Sequence, residues 1–200
     1  MADREAGRWA LIVHGGAKEM APGEEQANRA GVTEASRAGA RVLGGGGSAV
    51  EAVEAAIRVM EELTVFNAGR GSAPNEAGEV EMCAGLMDGR DLATGAVGAI
   101  RQVLHPISVA RMLMAEKEVI LVGEGALRFA RSKGIEPVTD EELLAEDEKK
   151  ELENCHDTVG AVALDQGGNL AAGTSTGGLT GSKVGGGGTV MRAKMMSRKK

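Results

Sequence analysis

The sequence predicts a layered α+β protein, organised as one domain of 200 residues. Helical and extended patterns both occur without strict alternation, which argues against a doubly wound parallel sheet. The chain is 42% hydrophobic and 26% charged, so it is long enough and apolar enough to bury a core. Its aromatic residues are only Trp9, Phe66 and Phe129. The core must therefore consist of aliphatic side chains and alanine.

The first elements are a strand and two helices. A strand is predicted over 9–13, and a helix over 24–43 that ends in the glycine run 44–47. Ser48 and Glu51 have the spacing of a capping box, and apolar residues then recur at helical intervals. The glycine run is therefore interpreted as the sharp connection between two packed helices.

The middle of the chain predicts a pair of strands, two more helices and a short strand. A proline opens the first of these helices, and Gly134 ends the second, because glycine readily adopts the left-handed conformation that follows a helix. In chain order the predicted segments are an irregular stretch at 63–78, strands at 79–86 and 94–100 about a turn at 87–90, a helix opening at Pro106, a strand at 118–122 and a helix at 125–133.

A second capping box, formed by Thr139 and Glu142, leads into the highly charged segment 140–153. This segment has few apolar residues to bury, so it is expected to be a solvated helix or a mobile linker. The residues after it, TVGAVAL, DQGGN and LAAGTSTGG, are typical of a β-hairpin.

The register of this hairpin follows from its loop. If residues 166–168 form a three-residue loop, Asp165 pairs with Asn169, and the numbers of paired residues sum to 334. Thr158 and Thr176 then stand directly opposite each other, with Cβ atoms about 5 Å apart. An ordinary cross-strand threonine pair has the same spacing, so the register alone leaves both a structural and a catalytic interpretation open.

Composition excludes several classes of protein. No apolar run approaches the roughly 20 residues of a membrane span, and the net charge of −6 argues against nucleic acid. The basic end, MRAKMMSRKK, is interpreted as a solvated terminus, with binding to a polyanion as the alternative. The charged N-terminus lacks the apolar stretch of a signal peptide, and Cys83 and Cys155 are unclustered. A cytoplasmic protein with reduced thiols is expected.

The position of Thr158 suggests nucleophilic chemistry. This residue begins a strand directly after His156 and Asp157, next to the charged segment. A threonine hydroxyl is a weak nucleophile unless a base lies beside it. Cleavage between Asp157 and Thr158 would supply that base, because the new α-amine has a pKa near 7.7–8.0. Motifs for other chemistries, G-x-x-x-x-G-K-[ST] and G-x-S-x-G, do not occur.

Six segments occur in a characteristic order: VHGGA (13–17), FNAGRGS (66–72), MDG (87–89), TGAVGAI (94–100), HPISVAR (105–111) and HDTVGAVALDQGGNLAAGTSTGG (156–178). Together they resemble the plant-type L-asparaginase/isoaspartyl peptidase family of N-terminal threonine nucleophile hydrolases. The resemblance implies a four-layer αββα sandwich, incomplete here at its C-terminal end. Residues 1–157 would be the α-subunit-like part of one domain, 158–185 the start of the β-subunit, and 186–200 a divergent tail.

The resemblance also assigns roles to residues. Thr158 would be the nucleophile, freed by autoproteolysis after Asp157, and Thr176 would orient its hydroxyl. Asn67 would hold the α-amine, although an Asn-Ala-Gly turn explains this asparagine as well. Gly15 would permit close approach of the backbone to the cleavage site, whereas the neighbouring histidine is interpreted as structural.

The substrate site departs from the family pattern. Gly177 and Gly178 match positions that bind substrate, but Gly186 stands where the family has the arginine that clamps the substrate carboxylate. Thr189 stands where it has the aspartate that receives the substrate amine. The expected activity is hydrolysis of the asparagine side-chain amide or of β-aspartyl peptides to release aspartate. The alternative is a catalytically inactive truncated remnant, or a partner-binding subunit of the same fold.

The resemblance implies no cofactor for catalysis. The expected partners are small-molecule substrates (asparagine and β-aspartyl dipeptides) and further copies of the processed chain in a homo-oligomer, without nucleic acid or membrane. A structural sodium ion is also implied. Its ligands would be the backbone carbonyls of Met60, Glu61, Leu63, Phe66, Ala68 and Arg70.

Overall fold

Strands and helices succeed one another in the α+β pattern that the sequence predicts. The computed structural model of the chain describes residues 7–17, 23–144 and 158–186. The elements are β1 (Ala10–His14), α1 (Glu24–Gly44), α2 (Ala49–Glu62), β2 (Met82–Asp88), β3 (Thr94–Ile100), α3 (Pro106–Leu113), β4 (Ile120–Val122), α4 (Gly123–Ser132), α5 (Asp140–Leu143), β5 (Val159–Leu164) and β6 (Leu170–Thr176).

All six strands form one mixed sheet in the order β1-β5-β6-β2-β3-β4. Neighbouring strands are antiparallel except β3 and β4, which are parallel and joined through α3. Helix α2 packs on β5 and β6, with α1 and α3 on either side of it. The α+β class is confirmed. The described residues contain one sheet, so the second sheet of the expected αββα sandwich is not among them.

The connection between α1 and α2 is the tight turn that the glycine run predicts. Gly46 has φ +81°, and the backbone N–H groups of 45–47 donate to carbonyls in the last turn of α1. Ser48 and Glu51 form the predicted capping box, with the Glu51 N–H donating to the Ser48 hydroxyl at 3.3 Å. Glycine is required at position 46 because other residues rarely adopt this backbone conformation.

The hairpin of β5 and β6 has the predicted register. Val159 pairs with Ser175, and the loop is closed by the Asp165 N–H donating to the Asn169 carbonyl at 3.0 Å. Gly168 supplies the left-handed residue of the loop, with φ +80°. The register sum of 334 is confirmed along the whole ladder.

The core lies between the sheet and α2. Val53 and Ile57 are fully buried against β6, where a Cβ added at Gly173 would meet the Val53 side chain at 2.8 Å and that of Ile57 at 3.1 Å. The absence of a side chain on the strand therefore lets the helix approach closely. Full burial of an aliphatic side chain of this size stabilises the fold by about 1.5–3 kcal/mol.

Several strands differ from their predicted bounds, and β1 is shifted by one residue because it runs Ala10–His14 and was predicted over 9–13. The first strand of the central pair was predicted over 79–86 but runs from Met82 to Asp88. Before Met82 the chain bonds to an adjacent loop, where Val80 bridges Pro74 and the Glu79 carbonyl accepts the Asn75 N–H at 2.9 Å. A competing local partner thus shortens this strand at its start. Strand β4 begins at Ile120, two residues later than predicted.

The second capping box is confirmed, because Thr139 and Glu142 cap the short helix α5. The prediction of a solvated helix or mobile linker concerns mainly residues 145–153, which lie outside the described residues, as does the basic tail. Among the helices that are described, none combines the length and the apolar character needed to cross a membrane.

Candidate active site

The open end of the β5–β6 hairpin holds the two predicted threonines. The last pair of the ladder is Val159 with Ser175, and the same register sets Thr158 opposite Thr176. Thr176 is 3% exposed and also pairs with Cys83 of β2. Its hydroxyl oxygen accepts the backbone N–H of Gly178 at 3.4 Å. Thr158 is half-buried, and Asp157, the predicted residue before the cleaved bond, lies outside the described residues.

Asn67 is joined to the strand that ends at Thr176. Its side-chain Nδ2 donates to the Gly178 carbonyl at 2.7 Å, and its own carbonyl accepts the Gly177 N–H at 2.8 Å. Its Oδ1 accepts the Ala73 N–H at 3.0 Å. The side chain is buried. Asn67 therefore makes the turn of its own loop and also binds the residues that follow β6, while its predicted contact with the Thr158 α-amine stays a prediction.

Gly177 lies where two backbones meet without room for a side chain. A Cβ at this position would come within 2.3 Å of the Ser72 hydroxyl and 2.4 Å of the Asn67 Oδ1. Gly178 has φ +84°, which favours glycine. Gly177 therefore fixes how closely the 67–73 loop approaches β6, and the predicted role of the two glycines in substrate binding stays a prediction.

Gly15 lies against the ring of Phe66. A Cβ on Gly15 would lie 2.5 Å from the Phe66 ring, and one on Gly31 of α1 would lie 2.6 Å from the same ring. The ring adjoining Asn67 is therefore held between two glycines. His14 lies over Gly160, where an added Cβ would come within 2.3 Å of the His14 Nε2, in keeping with its structural interpretation.

The segment after Gly178 packs beside the start of β2. The Gly185 N–H donates to the Glu81 carboxylate at 2.7 Å, and the Gly186 N–H donates to the Lys183 carbonyl at 2.8 Å. A Cβ on Gly186 would lie 2.6 Å from that carbonyl oxygen. A larger residue at this position requires the turn to shift. Thr189 lies outside the described residues.

The sequence analysis did not identify Glu61, whose side chain is fully buried at the end of α2. Its Oε1 accepts the Ser175 hydroxyl at 2.7 Å and the Ile107 N–H at 3.1 Å, and its Oε2 lies 3.2 Å from His105 Nδ1. Burial raises the pKa of the Glu61 carboxyl, and the hydrogen bonds from His105 and Ser175 offset this only in part.

This group joins three elements directly beneath the threonine end of the sheet. Ser175 precedes Thr176, and it faces α2 because alternate residues of a strand point to opposite faces. In the sequence, Glu61 is a glutamate at the end of an apolar helix, a position where glutamate is usually exposed to solvent. Only the tertiary contacts show that this glutamate is buried.

The predicted sodium loop forms a tight run of turns. The carbonyls of Met60, Glu61, Leu63 and Phe66 each accept one backbone N–H, at distances of 3.4, 2.7, 3.2 and 3.0 Å. A carbonyl oxygen has two lone pairs, so each of them keeps one acceptor position. Gly69 and Gly71 have positive φ, and side chains there would strike the carbonyls of Glu61 and Thr64.

Comparison with known proteins gives consistent matches. A family model described as asparaginase matches residues 7–157 and 147–188. The chain is 44% identical over 189 residues to the isoaspartyl peptidase/L-asparaginase of Xenopus laevis. It is 45% identical over 184 residues to the protein of the same name from Danio rerio, and 41% identical over 191 residues to that from Homo sapiens.

These matches cover most of this chain and a smaller part of each relative. The aligned region is 88% of this chain and 61% of the Xenopus protein, and 84% of this chain and 59% of the Danio protein. For the human protein the corresponding shares are 88% and 62%. The chain therefore spans about 60% of the length of the relatives that it matches.

Proposed function

Because the chain belongs to the asparaginase family, we propose that it is an autoprocessing amidohydrolase that releases L-aspartate from L-asparagine or from β-aspartyl peptides. The names of its relatives, isoaspartyl peptidase/L-asparaginase, support these substrates. The single observation that supports the mechanism best is the hairpin register, which sets Thr158 opposite Thr176 at the end of two paired strands. That arrangement brings a second hydroxyl beside the proposed nucleophile.

The proposed reaction begins when the Thr158 hydroxyl attacks the Asp157 carbonyl carbon and the peptide bond between the two residues breaks. Water then hydrolyses the resulting ester, which leaves an Asp157 carboxylate, the Thr158 hydroxyl and a free Thr158 α-amine. The freed α-amine of Thr158 accepts the proton of its own hydroxyl, whose oxygen then attacks the substrate amide carbonyl. Ammonia or an amine leaves, and water releases aspartate from the acyl-enzyme. Thr176 orients the attacking hydroxyl, and the buried hydrogen bonds of Asn67 to Gly177 and Gly178 support its proposed place beside the nucleophile.

The glycines after Thr176 support a role in substrate binding. Gly177 and Gly178 present backbone at the hairpin end. The side chains of Ser72 and Asn67 lie against Gly177, whereas a Cβ at Gly178 would meet only the Glu81 carbonyl oxygen, at 3.2 Å. Substrate groups can approach such backbone closely. Gly15 is proposed to serve the cleavage site in the same way, since it lacks a side chain beside Phe66.

A structural sodium ion is part of the proposal. The carbonyls of residues 60–70 fit a hard cation, which prefers oxygen ligands, provided that each uses the lone pair left free by its backbone hydrogen bond. The ion would stabilise the loop that carries Asn67. The chemistry of amide hydrolysis is assigned to the threonine and its amine alone.

A second candidate function is a non-catalytic subunit of the same fold. Gly186 favours it, because the position of the expected carboxylate-binding arginine carries no side chain. A bidentate arginine is the usual anchor for a carboxylate. Loss of that anchor weakens binding of a zwitterionic substrate even if Thr158 is correctly assembled.

The first test is cleavage. The purified chain is incubated and its intact mass is recorded under denaturing conditions. We expect the 20.5 kDa chain to separate into fragments of 157 and 43 residues (200 − 157 = 43). Thr158→Ala should remain intact, because it has no hydroxyl, whereas Thr158→Ser retains one and should still be cleaved. An uncleaved wild-type chain that is folded by circular dichroism would rule out the proposed nucleophile.

Turnover is measured on the cleaved protein. Ammonia release from L-asparagine and aspartate release from a β-aspartyl dipeptide should both exceed the rate of Thr158→Ala, and Thr176→Val should reduce them by about 10²-fold or more. Cleavage without turnover on either substrate would support the non-catalytic subunit instead.

A further inference from the structure

A buried hydrogen bond joins the end of α2 to the strand that ends at Thr176. The carboxylate of Glu61 accepts the hydroxyl of Ser175 at 2.7 Å. Both side chains are fully buried, and Ser175 directly precedes Thr176 in the chain. Because neither side chain reaches water, breaking this bond would leave buried polar atoms without a partner, which is costly. The bond therefore fixes the residue before Thr176 to the helix.

The Glu61 carboxylate is itself held by the start of α3. The oxygen that binds Ser175 also accepts the Ile107 N–H at 3.1 Å, and the other oxygen lies 3.2 Å from His105 Nδ1. His105 is the residue before α3, and Ile107 lies in its first turn. Since both oxygens have partners, the carboxylate cannot turn away from Ser175 without losing a contact to α3. Two helices thus determine where this side chain holds the strand.

The backbone of Glu61 contacts the loop that carries Asn67. The Glu61 carbonyl accepts the Arg70 N–H at 2.7 Å. A Cβ on Gly69 would lie 2.2 Å from the same carbonyl oxygen and 2.7 Å from the Glu61 Cβ, so the loop packs directly on this residue. Glu61 therefore contacts the strand through its side chain and the loop through its backbone.

The loop returns to the same strand, which closes a ring of contacts. Asn67 Nδ2 donates to the Gly178 carbonyl at 2.7 Å, and the Asn67 carbonyl accepts the Gly177 N–H at 2.8 Å. The residue before Thr176 is thus bound to α2, and the two residues after it are bound to the loop. Both attachments lead back to the end of α2.

We propose that Glu61 is a positioning residue for the reaction of Thr158. It acts through Ser175 and so sets the orientation of Thr176, the residue proposed to orient the nucleophile. Neighbouring residues of a strand share one backbone and point to opposite faces, so a shift of Ser175 relative to α2 also displaces the Thr176 hydroxyl. This inference rests on the proposed function, because it concerns the geometry of the two threonines during cleavage and turnover.

A second hydrogen bond of the same kind provides a matched comparison. The Ser108 hydroxyl donates to Glu54 at 2.7 Å, and both side chains are buried. Glu54 lies about two helical turns before Glu61 on the same face of α2. The two bonds thus have the same chemistry and the same helix, but only the bond of Ser175 reaches the strand that ends at Thr176.

The test compares Ser175→Ala with Ser108→Ala. The uncleaved fraction of freshly synthesised chain is followed over time by intact mass, and kcat and KM are measured on the cleaved protein. Ser175→Ala should slow cleavage and lower kcat by about 10- to 100-fold, with KM unchanged, because displacement of the reacting groups affects the chemical steps. Ser108→Ala should reduce stability to urea by a similar amount and leave both rates unchanged.

Two variants of Glu61 test whether its hydrogen bond is what matters. Glu61→Gln keeps an oxygen that can accept the Ser175 hydroxyl, so it should retain most of the wild-type rates. Glu61→Leu has no acceptor and should reproduce the slow cleavage and low kcat of Ser175→Ala. If Glu61→Leu does not fold, the comparison of the two serine variants decides the question by itself.

The failure of this proposal differs from the failure of the proposed function. Cleavage of Ser175→Ala at the wild-type rate would overturn the role of Glu61 and leave the proposed nucleophile in place. Equal losses of rate in the two serine variants would also overturn it, since they would reflect stability and not position. A folded wild-type chain that never cleaves would rule out the proposed function, and this role with it. If the chain cleaves without turnover, the cleavage rates alone support or overturn the proposal.

Discussion

Gly177 lies where the end of β6 meets the loop that carries Asn67. Replacing it with alanine should destabilise the protein by about 1–3 kcal/mol, because the new methyl group would overlap the Ser72 hydroxyl and the Asn67 amide oxygen. The free energy of unfolding in urea measures this change. Gly125→Ala is the control, because no atom beyond its chain neighbours and the adjacent backbone of α4 lies within 4 Å of the added carbon. It should stabilise by about 0.5–1 kcal/mol. Equal effects at the two positions would contradict the close approach at Gly177.

Glu61 provides a second test at the scale of a single residue. Burial raises the pKa of its carboxyl above the ordinary value of 4.5, so ionisation of this group costs folding free energy. Its contribution to stability is complete below pH 4.5 and is lost as the pH rises. The free energy of unfolding of Glu61→Gln, relative to wild type, should therefore increase with pH, by up to about 1.4 kcal/mol for each unit by which the pKa is raised.

Urea unfolding between pH 4.5 and pH 8 measures this difference. Glu62→Gln is the matched control, because Glu62 is the next residue, also lies near the His105 ring, and has a side chain that is 55% exposed. Its curve should run nearly parallel to that of wild type. A parallel curve for Glu61→Gln as well would show that Glu61 is not the buried acid that the contacts indicate.

At the scale of an element, the β5–β6 hairpin is held by one side chain at its loop. The Asp165 carboxylate accepts the N–H groups of Gly167 and Asn169, both at 2.9 Å, and that of Ala49 at 3.2 Å. It therefore fixes the turn and joins it to the first residue of α2. Burial raises the pKa of Asp165, but these hydrogen bonds outweigh burial, and the net direction is downward.

Asp165→Asn should lower the free energy of unfolding by about 1–3 kcal/mol at pH 7. The asparagine side chain has one acceptor oxygen where the carboxylate has two, so it cannot accept all of these hydrogen bonds. Because the pKa is lowered on folding, the contribution of Asp165 is present above its ordinary value of 3.8 and is lost as the pH falls. The wild-type and variant midpoints in urea should therefore converge towards pH 3. Asp91→Asn, at an exposed turn, is the control. A pH-independent gap would refute this role of the carboxylate.

At the scale of the whole molecule, the arrangement of layers explains the composition of the core. The core consists of aliphatic side chains, methionine and alanine, with Phe66 as its one fully buried aromatic residue among those described. It is built on one face of the sheet only. The other face carries apolar side chains that are exposed in the described part of the chain, including Ile12 at 71% and Leu170 at 54%.

The local elements followed from the sequence alone. The capping boxes at Ser48 and Thr139, the glycine turn between α1 and α2, and the register of the hairpin depend on neighbours within a few residues. Such short-range geometry is encoded in spacing, because turns and caps require particular side chains at fixed offsets. The asparaginase family was predicted in the same way, from short motifs in a fixed order.

Tertiary structure alone decided the features that join distant segments. Glu61 and Ser175 are 114 residues apart, and nothing in either local sequence shows that they form a buried hydrogen bond. The same is true of the bond from the Asn67 side chain to the Gly178 carbonyl, which joins positions 111 residues apart. Burial and long-range contact depend on the packing of whole elements, so a linear pattern leaves them undetermined.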